Sequence, residues 1–326
     1  MKAIRFHEHG EPGVLRLEDV SDPAPGDGDL LVRVTAAGIT FADVQIRSGV
    51  MRAHAWFPAP SLPFTPGFEI VGVVAGAGRA ARGWIGAGTR VVGGVRCGGY
   101  AELAILPAAA ALPVPDWLDD HQALALYGQG ATALGIAECC AMRPAELALV
   151  LAAAGGVGSL LVQLAKHAGA TVIAATGCEQ KMALAKQLGA DLVVNYSDAG
   201  WADRVRAEVG AVHVLFDPVG GALSRAAFGL LADGVGRAVV FGSASAELPG
   251  VTPAEILARG ISVSGFGPRM LVQPEYAARL RARAFRLYAQ DALSPVIGEI
   301  RPLSSAAAAH QAFEQRKTVG KVVLVP

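Results

Sequence analysis

Charge of either sign is scarce in this chain of 326 residues: only 17% are Asp, Glu, Lys or Arg, and 28 basic side chains are matched by 28 acidic ones. A formal charge of zero gives no broad field to hold a nucleic acid or an anionic membrane surface, so neither is expected as a partner and a small molecule becomes the default. Cysteine is equally thin. Cys97, Cys139, Cys140 and Cys178 form no CxxC pair and have no His-rich neighbourhood, which argues against a zinc ribbon and against a disulfide framework. A long unbroken apolar run is missing as well. Residues 147–165 carry no charge, but Gly155-Gly156-Val157-Gly158 interrupts them, which suits a buried strand, a turn and a helix better than a bilayer span. Near the start, Lys2, Arg5 and Glu8 fall where a secretory signal needs an apolar stretch, so a cytoplasmic location is expected.

What the chain does have is apolar mass: 52% of its residues are hydrophobic, enough to bury a large core in two domains. Up to about residue 115, short β-branched runs at 15–17, 30–34, 70–74, 90–92 and 100–106 are broken by Gly and Pro, the pattern of an irregular β-rich domain. From about 147 the rhythm becomes strand, Gly-containing turn and amphipathic helix. Strands are predicted at 147–152, 171–175, 192–194, 212–216, 237–241 and 261–264, which makes an α/β doubly wound parallel sheet of six strands. Helices at 157–168 and 179–188 each stop just before a glycine, Gly169 and Gly189, where a left-handed cap is wanted. After Pro274 come a long Arg- and Ala-rich helix, another near 304–316 and a strand at 321–325. This tail has no place among the six strands and is expected to return to the first domain. The expected division is 1–121 with 267–326, around an inserted dinucleotide-binding domain at 122–266.

Ala153-Ala154-Gly155-Gly156-Val157-Gly158 follows a predicted strand and opens a predicted helix, matching GxGxxG with Ala in the first place. Gly155 lets the backbone approach a pyrophosphate, Gly158 lets the helix pack on the strand, and N–H groups at the helix start favour the anion. A cofactor lacking the 2′-phosphate wants an Asp or Glu at the end of the second strand. Here that strand ends Ala174-Ala175-Thr176-Gly177, with Lys181 in the next turn, so the residues favour NADPH over NADH; Lys181 as a solvated helix lysine, with Glu179 nearby, keeps NADH as the alternative.

Several motifs occur in order: Gly38-Ile39-Thr40-Phe41-Ala42-Asp43 with Arg47-Ser48-Gly49, Pro66-Gly67-Phe68-Glu69, the alanine-glycine loop, Asp217-Pro218-Val219-Gly220-Gly221, Phe241-Gly242-Ser243 and Gly320-Lys321-Val322-Val323-Leu324. With them the chain resembles, over essentially its whole length, the zinc-free quinone oxidoreductase branch of the medium-chain dehydrogenases/reductases. The resemblance implies a Rossmann domain beside a β-rich, GroES-like catalytic domain. It implies that Lys181 and Tyr196, with Arg316, lie by the adenosine 2′-phosphate, beside Gly177. Thr132 would lie near the nicotinamide or its phosphates, Gly242 and Ser243 by the nicotinamide ribose, and Phe266 and Gly267 at the carboxamide end. Lys321, in the last of the motifs, joins the cofactor-binding candidates. Zinc-bearing relatives have Gly-His-Glu where this chain has Gly67-Phe68-Glu69, and a ligand cysteine about where Thr40 stands, so no metal is expected and Glu69 is a polar structural residue. Quinone reductases of this branch tend to have Asn in place of Thr40 and Tyr near Gln45, so the substrate pocket is not a copy.

On this reading NADPH gives hydride to a quinone or an α,β-unsaturated carbonyl, in a cleft between the domains; without zinc, conjugation must activate the acceptor. Thr40, Asp43, Gln45 and Tyr127 are the candidate catalytic side chains. Asp43 could equally cap a helix; His54, before a Pro-rich loop, could reach the cleft but reads better as a surface residue. Two other readings stay open: an enoyl reductase acting on thioester or polyketide intermediates, and a non-catalytic NADPH-binding protein of crystallin or RNA-binding type. A homodimer is implied, paired through the sheet edge near 261–264 with 239–241 further inside.

Overall fold

A computed structural model describes residues 1–50, 60–267 and 270–326. His54 lies outside them. The chain divides into two compact units, one of residues 1–128 and 296–326, the other of 129–295.

In the second unit six parallel strands run in the order Leu192–Asn195, Thr171–Thr176, Leu147–Leu151, Val214–Asp217, Arg237–Val240 and Ser262–Gly265. This is the doubly wound order, in which the chain starts at the middle and winds out to each edge. The central strands are apolar without alternation because helices cover both faces: Ala148, Leu149, Val150, Leu151, Ile173, Leu215 and Phe216 are all fully buried. Helix Gly156–His167 buries Leu160, Leu161, Leu164 and Ala165, and helix Glu179–Gln187 stops short of Gly189, whose φ is +101°. Strand Ser262–Gly265 is an outer edge and keeps Val263 exposed.

In the first unit, strands Ile297–Pro302, Lys321–Val325, Asp29–Gly38, Glu69–Ala77, Arg90–Gly94 and Ala111–Pro113 neighbour one another in that order, and Leu103–Pro107 pairs back onto Asp29–Gly38. Phe6, Leu30, Val32, Ile70, Tyr100, Leu106 and Leu324 make its core. The carboxyl-terminal strand does return here, antiparallel to Asp29–Gly38 with Val323 opposite Gly38.

Both expected boundaries move. Helix Asp120–Ala125 stays with the β-rich unit, tied by Arg90 and Thr35 to Asp120 at 2.8 and 2.6 Å. Residues 267–295 go with the second unit rather than the first. Their helix Pro274–Ala289 buries Ala277, Leu280 and Ala284, and Arg279 grips Glu138 of helix Ala131–Cys140 with two bonds of 2.8 Å. An amphipathic helix goes where its apolar stripe finds cover, and the stripe alone does not name the partner.

Candidate functional site

At the carboxyl ends of the six strands the loops converge. The first of these turns after Leu147–Leu151. Ala152 takes a left-handed φ of +51°, and Gly155 donates back to its carbonyl at 2.9 Å, closing a tight turn. The first internal helix bond is made by Ser159 to Gly155, so the N–H groups of Gly156, Val157 and Gly158 precede the ladder at the positive end of the helix. No acidic side chain stands in that first turn. A Cβ on Gly158 would overlap the Ala152 carbonyl, so helix and strand approach here at a distance only glycine permits. This turn can cradle a pyrophosphate.

The second strand ends at Thr176 and Gly177. Tyr196 donates its backbone N–H to the Thr176 carbonyl at 2.8 Å, and its ring lies so close to Gly177 that a Cβ there would meet it at 3.2 Å. Lys181 stands in the first turn of helix Glu179–Gln187. Gly177, Lys181 and Tyr196 thus share one strand tip and its flanking turn. On the other side of the Leu147–Leu151 strand, buried Asp217 accepts from the N–H groups of Val219 and Gly220 at 2.8 and 3.2 Å and from the Ser224 hydroxyl. Ala244 donates to the Pro218 carbonyl at 3.1 Å, locking the 242–244 turn onto that loop, so Gly242 and Ser243 stand with it. Phe266 is different: its ring is buried against Gly135, which leaves only backbone at that position to face a ligand, next to exposed Gly267. Thr132 is half-buried on helix Ala131–Cys140.

The first unit gathers its polar side chains around helix Phe41–Ser48. Thr40 caps it, and Asp43 closes a capping box, accepting from the Thr40 N–H at 2.8 Å and the Thr40 hydroxyl at 2.6 Å through one oxygen. The other oxygen accepts from the Gly67 N–H at 2.9 Å. Gly67 has a φ of +97° and lies against Tyr100, which accounts for the glycine in Pro66-Gly67-Phe68-Glu69. Asp43 is fully buried, and burial outweighs these bonds and the charge of Lys321, pushing its carboxyl up to about 6. Gln45 is half-buried on the same helix. Tyr127, almost wholly buried in a π-turn at Leu126–Gly130, donates its hydroxyl to the Ala110 carbonyl at 3.2 Å.

Lys321 and Arg316, named above as cofactor candidates, both belong to the first unit. The Lys321 ammonium is buried and donates to Glu69 at 2.6 Å and to the Ile39 carbonyl at 3.2 Å. It is the counter-ion of Glu69. Sequence reasoning did not reach Tyr100 and His310. They are buried 210 positions apart in sequence, with the Tyr100 hydroxyl 3.2 Å from His310 Nε2. Burial, then the neighbouring Asp43, hold the Tyr100 proton on well above the usual range. Burial, helped by Arg47, pushes His310 down to about 3. A Tyr and a His in apolar surroundings at that separation carry no local signal of their meeting. Among the described residues no three His, Cys, Asp or Glu side chains come together as a metal site would need, and no helix is long and apolar enough to cross a membrane.

Residues 26–116 match the alcohol dehydrogenase GroES-like domain and residues 156–282 the zinc-binding dehydrogenase domain. Quinone oxidoreductases of Salmonella typhimurium and Escherichia coli are 32% and 31% identical to the chain, each over 99% of both sequences. The chain belongs to the quinone oxidoreductase family of medium-chain dehydrogenases/reductases. Two solved structures cover all of the chain and are covered by it completely, each with a TM-score of 0.91: a mycobacterial protein complexed with NADPH, 36% identical, and the Escherichia coli quinone oxidoreductase complexed with NADPH, 30% identical. The pairing of a Rossmann unit with a GroES-like unit is therefore the family's, as the motif order implied.

Proposed function

We propose that this member of the quinone oxidoreductase family is an NADPH-dependent reductase that acts on a quinone or an α,β-unsaturated carbonyl without zinc. The observation that carries the reading is the turn at 152–158, where a helix amino terminus and a glycine that admits no Cβ leave room and donors for a pyrophosphate. Gly177, Lys181 and Tyr196 at the next strand tip suit the 2′-phosphate: the tip itself ends in Thr176 and Gly177 with no carboxylate to claim a ribose hydroxyl, Lys181 shares its helix turn with Glu179, and relatives complexed with NADPH support the choice.

NADPH, when bound, supplies the hydride. The protein's part is to hold the nucleotide by the backbone N–H groups of 156–158 and by Lys181, and to present Thr40 and Gln45 to the acceptor. Where zinc-bearing relatives have cysteine and histidine ligands, this chain has Thr40 and Phe68, so the acceptor must be activated by its own conjugation. Two copies would pair along the exposed Ser262–Gly265 edge; a one-chain mass in solution would overturn that pairing.

Titration with NADPH and NADH, followed by nicotinamide fluorescence, tests the cofactor. NADPH should bind at least about tenfold more tightly, and Lys181→Ala should erase most of that preference, about 1–2 kcal/mol, while leaving NADH unchanged. Failure of both nucleotides to bind would sink the proposal. Oxidation of NADPH by enoyl thioesters but not by small quinones would instead move the substrate class to the thioesters.

A further inference from the structure

We infer that Asp43 sets the direction of the Thr40 hydroxyl, so that Thr40 passes a proton to the reduced substrate only while Asp43 is itself protonated. The inference rests on the reductase reading above: Thr40 is the group that touches substrate, and Asp43 acts through it, both orienting its hydroxyl and resupplying its proton, so that an amide in place of the carboxyl could orient Thr40 but not resupply it. Thr40 has one hydroxyl proton, and it points at Asp43 Oδ2 across 2.6 Å. While Asp43 is a carboxylate it can only accept, so that proton is committed inward. Once Asp43 is neutral, its own O–H donates to Thr40 Oγ1 and the Thr40 proton is released to point outward. The bonds from the Thr40 and Gly67 N–H groups survive the change, since the neutral carboxyl still accepts, so the helix cap is kept. Asp43 is enclosed completely and Thr40 only partly, which leaves Thr40 as the member able to meet a ligand.

The surroundings make Asp43 a switch in the working pH range. Lys321, from the carboxyl-terminal strand, favours its charged form, and burial opposes this more strongly, which places the carboxyl at about 6. Glu69, from the strand after Gly67, is held by Lys321 at 2.6 Å. Tyr100 faces Asp43 and stays protonated, and His310, from helix Ala306–Glu314, stays neutral behind it. Arg47, on the same helix as Asp43, is tied to Glu314 and to the Gly10 carbonyl.

In the reaction, the β-carbon of an enone gains a hydride, with both electrons of the nicotinamide C4–H bond, and NADPH is oxidised to NADP+. The resulting negative charge on the carbonyl oxygen takes the Thr40 proton as the Thr40 oxygen takes that of Asp43. A carboxylate is left, and solvent reprotonates it through Thr40 before the next turnover.

The test is the pH profile of NADPH oxidation by cyclohexenone and by p-benzoquinone from about pH 5 to about pH 8. For the wild type, kcat should be level below about pH 6 and fall up to about tenfold per unit above it, at unchanged KM. Thr40→Val and Asp43→Asn should each give a flat profile near the wild type's alkaline rate, and Thr40→Ser should restore the acid limb. In the free protein, carbon-13 NMR of labelled aspartate should show one carboxyl, missing in Asp43→Asn, that titrates near pH 6. An acid limb that persists in Thr40→Val, or no aspartate titrating above the ordinary range, would overturn the inference and leave the reductase reading standing. A wild type that binds NADPH but reduces neither substrate at any pH would instead remove the reductase reading and this inference with it.

Discussion

Replacing Lys321 with Met should lower the stability of the folded chain by about 3–5 kcal/mol, read as a shift in the urea midpoint with little change in slope. The Lys321 side chain is 1% exposed and its Glu69 partner 15%. Removing the ammonium therefore leaves a carboxylate in a closed site with its ion partner gone. Water cannot easily replace the lost charge: Gly38 lies against the Lys321 ammonium and Gly128 against the Glu69 carboxylate, each so close that a methyl group in its place would overlap the pair. Most of the cost is that of an uncompensated charge rather than the net worth of the pair, so Lys321→Met combined with Glu69→Gln should recover a good part of the loss. A single variant within about 1 kcal/mol of wild type would show that the site is wetter than this packing implies.

Gly158→Val should weaken NADPH binding by at least about 100-fold and cost about 1–3 kcal/mol of stability. A Cβ at 158 would overlap the Ala152 carbonyl oxygen and come within 3.0 Å of the Ala152 carbonyl carbon and the Ala153 Cα, all backbone atoms that cannot rotate aside. The helix must lift from the strand, and its leading N–H groups then leave the place where a pyrophosphate would sit. Gly155 offers a contrast. A Cβ there would meet only the Ala152 oxygen, at 3.2 Å, so Gly155→Ala should be the milder change for stability. Fluorescence titration and urea melts on the two variants check both statements, and wild-type affinity in Gly158→Val would refute the role given to this turn.

What could be read in advance was the part of the molecule decided by neighbours in the chain. Alternation of apolar strand and capped helix, glycines at 155, 158, 169 and 189, and a strand tip, Ala174 to Gly177, without a carboxylate are properties of short windows, and the strands and helices stand in the fold within a residue or two of where periodicity put them. Asp43 shows the middle ground. A place at the start of a helix made a capping role open to it, and it does close a capping box with Thr40, but its third bond, from Gly67, comes from a segment 24 residues away.

Local pattern along the chain was enough to specify the doubly wound sheet, the glycine turn and the family. Which distant groups meet depends on packing between segments far apart in the chain. Lys321 finds Glu69 across 252 residues and Tyr100 finds His310 across 210, because the last strand and helix return to the first unit and bury those side chains together. The long helix from Pro274 to Ala289 joined the second unit for the same kind of reason. A stripe of apolar residues, a buried lysine and a buried acid each state a need for a partner, and only the packed chain supplies which one.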